Sequence, residues 1–105
     1  MLSKKYRLTR KQINLIYKRG RGQRLGEIGV KFIENNQEHS RYSVIIPKAV
    51  VKKVTQRNRL RRVIFDELQK IAPKKNRDVI IRVFKVSDEP VIRENIKSIL
   101  RRIDV

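Results

Sequence analysis

Apolar residues recur along this chain in two periods, one near 3.6 residues and one of 2, and the alternation between them outlines the fold. Between Leu8 and Gly20, Ile13, Ile16 and Tyr17 share one helical face, leaving Arg10, Lys11, Lys18 and Arg19 outside it. The ends of this segment are well marked. Thr9 is placed as N-cap with Gln12 three residues on, Leu8 and Ile13 form an apolar staple, and Gly20 terminates the run. A short helix is predicted there. Gly20, Gly22 and Gly26, with Arg21 and Arg24 between them, then break the pattern and read as a mobile basic loop.

Period-2 alternation follows twice, in Ile28–Ile33 and in Tyr42–Ile46. The polar run Asn35, Asn36, Gln37 and Glu38 joins the two strands and predicts an antiparallel hairpin with a loop of several residues. Pro47 ends the second strand. Val54 to Ile71 reads as the longest helix, with a stripe of Leu60, Ile64, Leu68 and Ile71 and Pro73 as its stop. Lys74, Lys75, Asn76 and Arg77 turn into Val79–Val86, an almost continuous β-favouring run expected of a central strand covered on both faces. Ser87 or Asp88 caps a last helix carrying Ile92, Ile96, Ile99, Leu100 and Ile103. These elements predict an α+β fold in the order α-β-β-α-β-α: one domain over residues 1–105, with a mainly antiparallel sheet packed with helices.

Charge changes this picture from a fold to a partner. The 105 residues hold 28 Lys+Arg against 10 Asp+Glu, a net charge of +18. Such an excess repels itself, and binding to a polyanion relieves the repulsion. Residues 1–26 contain nine cations and residues 39–65 eight, with no acid in either stretch. The densest point lies inside the long helix, where Asn58, Arg59 and Arg62 fall on the side away from Leu60, Ile64 and Leu68, and Arg57 and Arg61 flank the stripe. Arginine presents a planar fork of donors suited to phosphate oxygens, so this face predicts binding to a nucleic-acid backbone. Asn58, a poor mid-helix residue, either hydrogen-bonds a nucleotide or tethers the neighbouring loop. Phe32, Tyr42 and Phe84 alternate onto sheet faces, as core or as a base-stacking platform.

Other classes fall away. No run of about 18 apolar residues exists and the N-terminus lacks the apolar stretch of a secretory signal, which predicts a soluble, cytoplasmic protein with no membrane partner. There is no cysteine and one histidine, His39, so neither thiol chemistry nor a Ser-His-Asp set is available. The acids Asp66, Glu67, Asp78, Asp88 and Glu89 show no spacing that forces convergence on metals. The glycines lack the ending of a phosphate-binding loop. The chain is expected to be non-catalytic by itself, with no catalytic residue, no metal site and no small-molecule substrate.

The segment Pro47-Lys48-Ala49-Val50-Val51-Lys52-Lys53-Val54-Thr55-Gln56-Arg57-Asn58-Arg59-Leu60-Arg61-Arg62 resembles the signature of the bacterial ribonuclease P protein component. Arg7-Leu8, Tyr17-Lys18-Arg19-Gly20 and Asp78-Val79-Ile80-Ile81-Arg82 also fall where that family has similar elements. The resemblance implies a subunit of a ribonucleoprotein that removes the 5′ leader from precursor tRNA, with Mg2+ bound mainly by the RNA subunit. It assigns contact with the catalytic RNA to Arg57, Asn58, Arg59, Arg61 and Arg62, joined by Lys48, Lys52 and Lys53 of the same signature. By position it places Ile13, Tyr17 and Phe32 in a cleft for the single-stranded leader. It also implies a crossover around the long basic helix, left-handed against the usual rule. Pro47, Ala49, Ser43 and Ile13 depart from the family's usual residues. The alternative reading is a ribosomal or other structural RNA-binding protein of similar size and basicity.

Overall fold

The computed structural model describes residues 7–70, 76–86 and 88–103. Within them the chain runs α1 (Arg10–Arg19), β1 (Arg21–Leu25), β2 (Ile28–Glu34), β3 (Arg41–Ile45), α2 (Val54–Gln69), β4 (Arg77–Val83) and α3 (Glu89–Ile103). The α+β class holds, but the order is α-β-β-β-α-β-α. Ile71, Pro73, Lys74, Lys75 and Ser87, placed above at a helix end, a turn and a cap, lie outside the described residues.

The first correction concerns the predicted mobile loop, which is strand β1. Its sequence, Arg-Gly-Gln-Arg-Leu, has no apolar alternation, and it holds its place by backbone pairing with β2 from Arg21↔Phe32 to Leu25↔Ile28. Gly26 and Glu27 close the hairpin, and Gly26 takes a φ of 57°, the positive value that such two-residue turns require at their first position.

The second correction concerns strand pairing. β2 and β3 form no hairpin, because β4 lies between them and the sheet order is β1-β2-β4-β3. β2 pairs antiparallel with β4, and β3 pairs parallel with it, so α2 lies in the crossover from β3 to β4. The reason is burial. Val79, Ile80, Ile81 and Val83 are all at most 2% exposed, so β4 needs cover on both faces and neighbours on both edges, and it takes the interior position. The 35–40 connection is held by polar groups instead: Asn35 Oδ1 accepts from the Gln37 amide at 2.9 Å, and the side chain of Asn76, just before β4, donates to the Gln37 carbonyl at 2.8 Å.

The main core lies on one sheet face. Ile28, Val30, Val79, Ile81 and Val83 meet Val63, Ile64 and Leu68 of α2 and Ile92, Ile96, Ile99 and Ile103 of α3. On the other face α1 covers part of β2 and β4, and buried Ile16 and Ile80 lie outside the main core. The capping box on α1 forms as predicted, with the Thr9 amide donating to Gln12 Oε1 at 2.7 Å and the Gln12 amide to Thr9 Oγ1 at 3.3 Å. Gly20 is the C-cap of this helix, and a side chain has no space there, since a Cβ would lie 2.5 Å from the Ile16 carbonyl oxygen.

Candidate nucleic-acid interface

Two basic surfaces emerge from this arrangement. The first is the N-terminal half of α2 with the loop before it. Pro47 O accepts from the Val50 and Val51 amides, both at 3.0 Å, which curls Lys48–Val50 into a turn. No side chain caps α2. Arg57 secures its start instead, donating through one Nη to the carbonyls of Val51 and Lys52 at 3.0 and 2.9 Å. The loop is therefore tethered by Arg57, while Asn58 accepts from Arg61 at 3.2 Å.

Lys48, Lys52, Lys53, Asn58, Arg59 and Arg62 are exposed, and Arg57 and Arg61 are half-buried. The first turn of α2 contains no acid, so the positive end of the helix dipole adds to these cations. Among the described residues no acid pairs with Arg59 or Arg62. Asp66 and Glu67, within helical reach of them, turn to α3: one Nη of Arg93 donates to Asp66 at 2.7 Å and to buried Glu67 at 2.8 Å, and Lys70 lies 3.4 and 3.5 Å from the two carboxylates.

Hydrogen bonds from Arg93 and Lys70 hold the Asp66 carboxyl below its ordinary value. Burial pushes the Glu67 carboxyl up, but the Arg93 hydrogen bond and the charges of Lys70 and Lys97 outweigh it and the net direction is down. Both carboxylates are thus neutralised by side chains of the protein. Such a set does not fit a divalent ion, and no group of three or more potential metal ligands occurs among the described residues.

The second surface is a cleft of about 460 Å³ on the open sheet face beside α1. Register places Gly22, Arg24, Gly29, Lys31, Ile80 and Arg82 on this face. Lys31 Nζ lies 5.3 Å from the Tyr17 ring centroid and donates to the Tyr17 carbonyl at 3.1 Å. Across the cleft Phe84, 39% exposed, lies against Gly29, where a Cβ would come within 2.5 Å of the ring. The guanidinium carbons of Arg24 and Arg82 lie 4.2 and 5.5 Å from the Phe84 centroid.

This geometry separates the three residues placed together from sequence. Tyr17 lines the cleft. Ile13 is half-buried on α1 and is not among the lining residues. Phe32, in register with Val79, packs against the main core on the opposite face, with the Arg77 guanidinium carbon 5.3 Å from its centroid. Phe84, one of the sheet aromatics left open between core and stacking platform, lines the cleft, whereas Arg24, Lys31 and Arg82 were missed as cleft residues. Their signal was the parity of β2 and β4, which becomes useful only once β4 is known to pair with β2.

Comparison with known proteins agrees with the fold. The family model for ribonuclease P matches residues 2–104. The ribonuclease P protein of Thermotoga maritima superposes with a TM-score of 0.82 at 25% identity, covering 94% of this chain and 98% of that one. The Staphylococcus aureus ribonuclease P protein superposes at 0.84 with 20% identity, covering 95% and 96%. A mutant of the Staphylococcus protein gives 0.86 with 19% identity, covering 95% and 89%. A search among curated protein sequences finds no match. With a family model spanning nearly the whole length and the family's fold formed around the Arg57-Asn58-Arg59 helix, the chain belongs to the ribonuclease P protein family, the protein subunits of that ribonucleoprotein enzyme.

Proposed function

We propose that the chain holds the catalytic RNA through phosphates along Lys48, Lys52, Lys53, Arg59 and Arg62, and seats the 5′ leader of precursor tRNA in the cleft beside Tyr17. The observation that carries this reading is the division of charge on α2, whose exposed arginines lack acid partners among the described residues while its acids are taken up by Arg93 and Lys70. Arg57 and Arg61 support the surface from within, through the loop and Asn58. In the cleft, bases would stack on Tyr17 or Phe84, and Arg24, Lys31 and Arg82 would meet phosphates.

The chemistry of cleavage then rests with the RNA subunit and its Mg2+. The protein screens repulsion between catalytic RNA and precursor, lowers the magnesium requirement and favours substrates that keep a leader. Among the described residues no helix is long and apolar enough to cross a membrane, and a cytoplasmic site of action accords with the partners proposed.

The test is reconstitution. Purified protein with a ribonuclease P RNA should cleave precursor tRNA at lower Mg2+ than the RNA alone, and the protein by itself should not cleave. An RNA whose magnesium dependence and precursor affinity are the same with and without the protein would overturn the proposal.

A further inference from the structure

The open-face cleft has a counterpart on the other side of the sheet. A pocket of about 570 Å³ lies where α1, β1, β2 and the end of α3 meet, and Arg19, Arg21, Arg77 and Arg102 line it. Glu34 is the acid among its lining residues, so cations exceed acids there. Arg19, Arg21 and Arg102 are exposed, and Arg77 lies over Phe32 in the floor. Neither the fold nor the proposed leader cleft requires three exposed guanidinium groups at this point.

The two pockets meet at β1. This strand is an edge of the sheet, and Gly22 and Gln23 line both cavities. Side chains alternate across a strand, so Arg21 and Arg24, three residues apart, point to opposite faces. One edge strand therefore offers a guanidinium to each side, and Gly22 between them has no side chain to obstruct passage over the edge.

We propose that single-stranded RNA seated in the open-face cleft continues over the edge of β1 at Gly22, and that Arg19, Arg21 and Arg102 hold its phosphodiester backbone in the second pocket. This rests on the cleft reading above and extends the tract of leader that the protein grips. Recognition there is of phosphate charge, since Phe32 already carries Arg77 on its ring. The second pocket should thus favour longer leaders with little regard to their sequence.

The experiment uses the reconstituted holoenzyme and precursor tRNAs whose leaders grow one nucleotide at a time. Affinity should rise in two steps, the first as the cleft fills and the second as RNA reaches the far pocket. Arg21→Glu or Arg102→Glu should abolish the second step, weaken long-leader binding about tenfold and lower the salt slope by about 0.7 for each phosphate no longer neutralised. Arg101→Glu makes the same charge change one residue away, outside the pocket lining, and should keep both steps. Equal melting temperatures of Arg101→Glu and Arg102→Glu would show that the difference is not one of folding. Affinity that levels off after a single step, or Arg101→Glu and Arg102→Glu behaving alike, would overturn the second pocket and leave the cleft standing. No dependence on leader length at all would overturn both.

Discussion

The two halves of α2 have the same backbone and opposite surroundings. From Val63 to Leu68 the helix is pressed into the core, with Val63, Ile64, Phe65, Glu67 and Leu68 all buried. From Val54 to Arg62 no residue is buried, and Arg59 and Arg62 face solvent without acid partners among the described residues. The acids that could have neutralised those arginines are drawn to Arg93 on α3. One half anchors the helix so that the other can present charge. Stability and RNA affinity should therefore be separable along a single helix.

The largest effect should come from the anchored half. Ile64 is fully buried, and Ile64→Ala should cost about 2–5 kcal/mol, through reduced burial plus the cavity left behind. Chemical denaturation would measure it, and the RNA affinity of the molecules that remain folded should be unchanged. A large drop in intrinsic RNA affinity would mean that the halves are not independent.

A smaller stability cost is expected at the junction. Glu67→Gln keeps the shape of the side chain but removes the charge facing Arg93, and should cost about 1–3 kcal/mol at neutral pH. The folded-state carboxyls of Glu67 and Asp66 both lie below their ordinary values of 4.5 and 3.8, so the native state favours their charged forms. That stability is present above the unfolded values and is lost as pH falls through the lower folded ones. Melting curves of wild type and Glu67→Gln should converge over that acid range. A gap that persists at low pH would show that packing, not charge, holds the junction.

The exposed half should show the converse with the least change in stability. Arg59→Ala and Arg62→Ala should each alter stability by less than about 0.5 kcal/mol, as exposed substitutions do. Each should nevertheless reduce the salt slope of RNA binding by about 1. Filter binding across a salt series against a thermal melt would make the comparison. Unfolding with intact affinity would reverse the assignment of the two halves.

Local elements were largely legible in the sequence. The capping box at Thr9 and Gln12 and the isoleucine stripe of α3 formed as predicted, and the apolar run of β4 formed from Arg77 to Val83, short of the Val86 end expected, because each depends on residues a few positions apart. The exposed cationic side of α2 was legible for the same reason. The candidate cleft was not. Its side chains come from α1, β1, β2 and the region of β4, and their company follows from strand pairing between segments some fifty residues apart in the chain. β1 was missed because its stability resides in backbone bonds to a neighbour rather than in its own side chains. The Leu25-Gly26-Glu27-Ile28 turn was its one local cue, a glycine-first two-residue link between apolar positions.

Arg57 shows the same division within one residue. Its charge and helical face were readable from spacing, yet one Nη of its guanidinium donates to the Val51 and Lys52 carbonyls of its own chain. By itself, then, the amino-acid order determined where the three helices and the apolar strands lie and which residues carry charge, and it pointed toward a polyanion, since periodicity and composition act over short range. Only the tertiary structure decided that β4 separates β2 from β3, that Tyr17 and Phe32 lie on opposite faces, and that Arg93 takes the acids of α2. Those outcomes depend on which distant segments bury one another, a competition that no local pattern records.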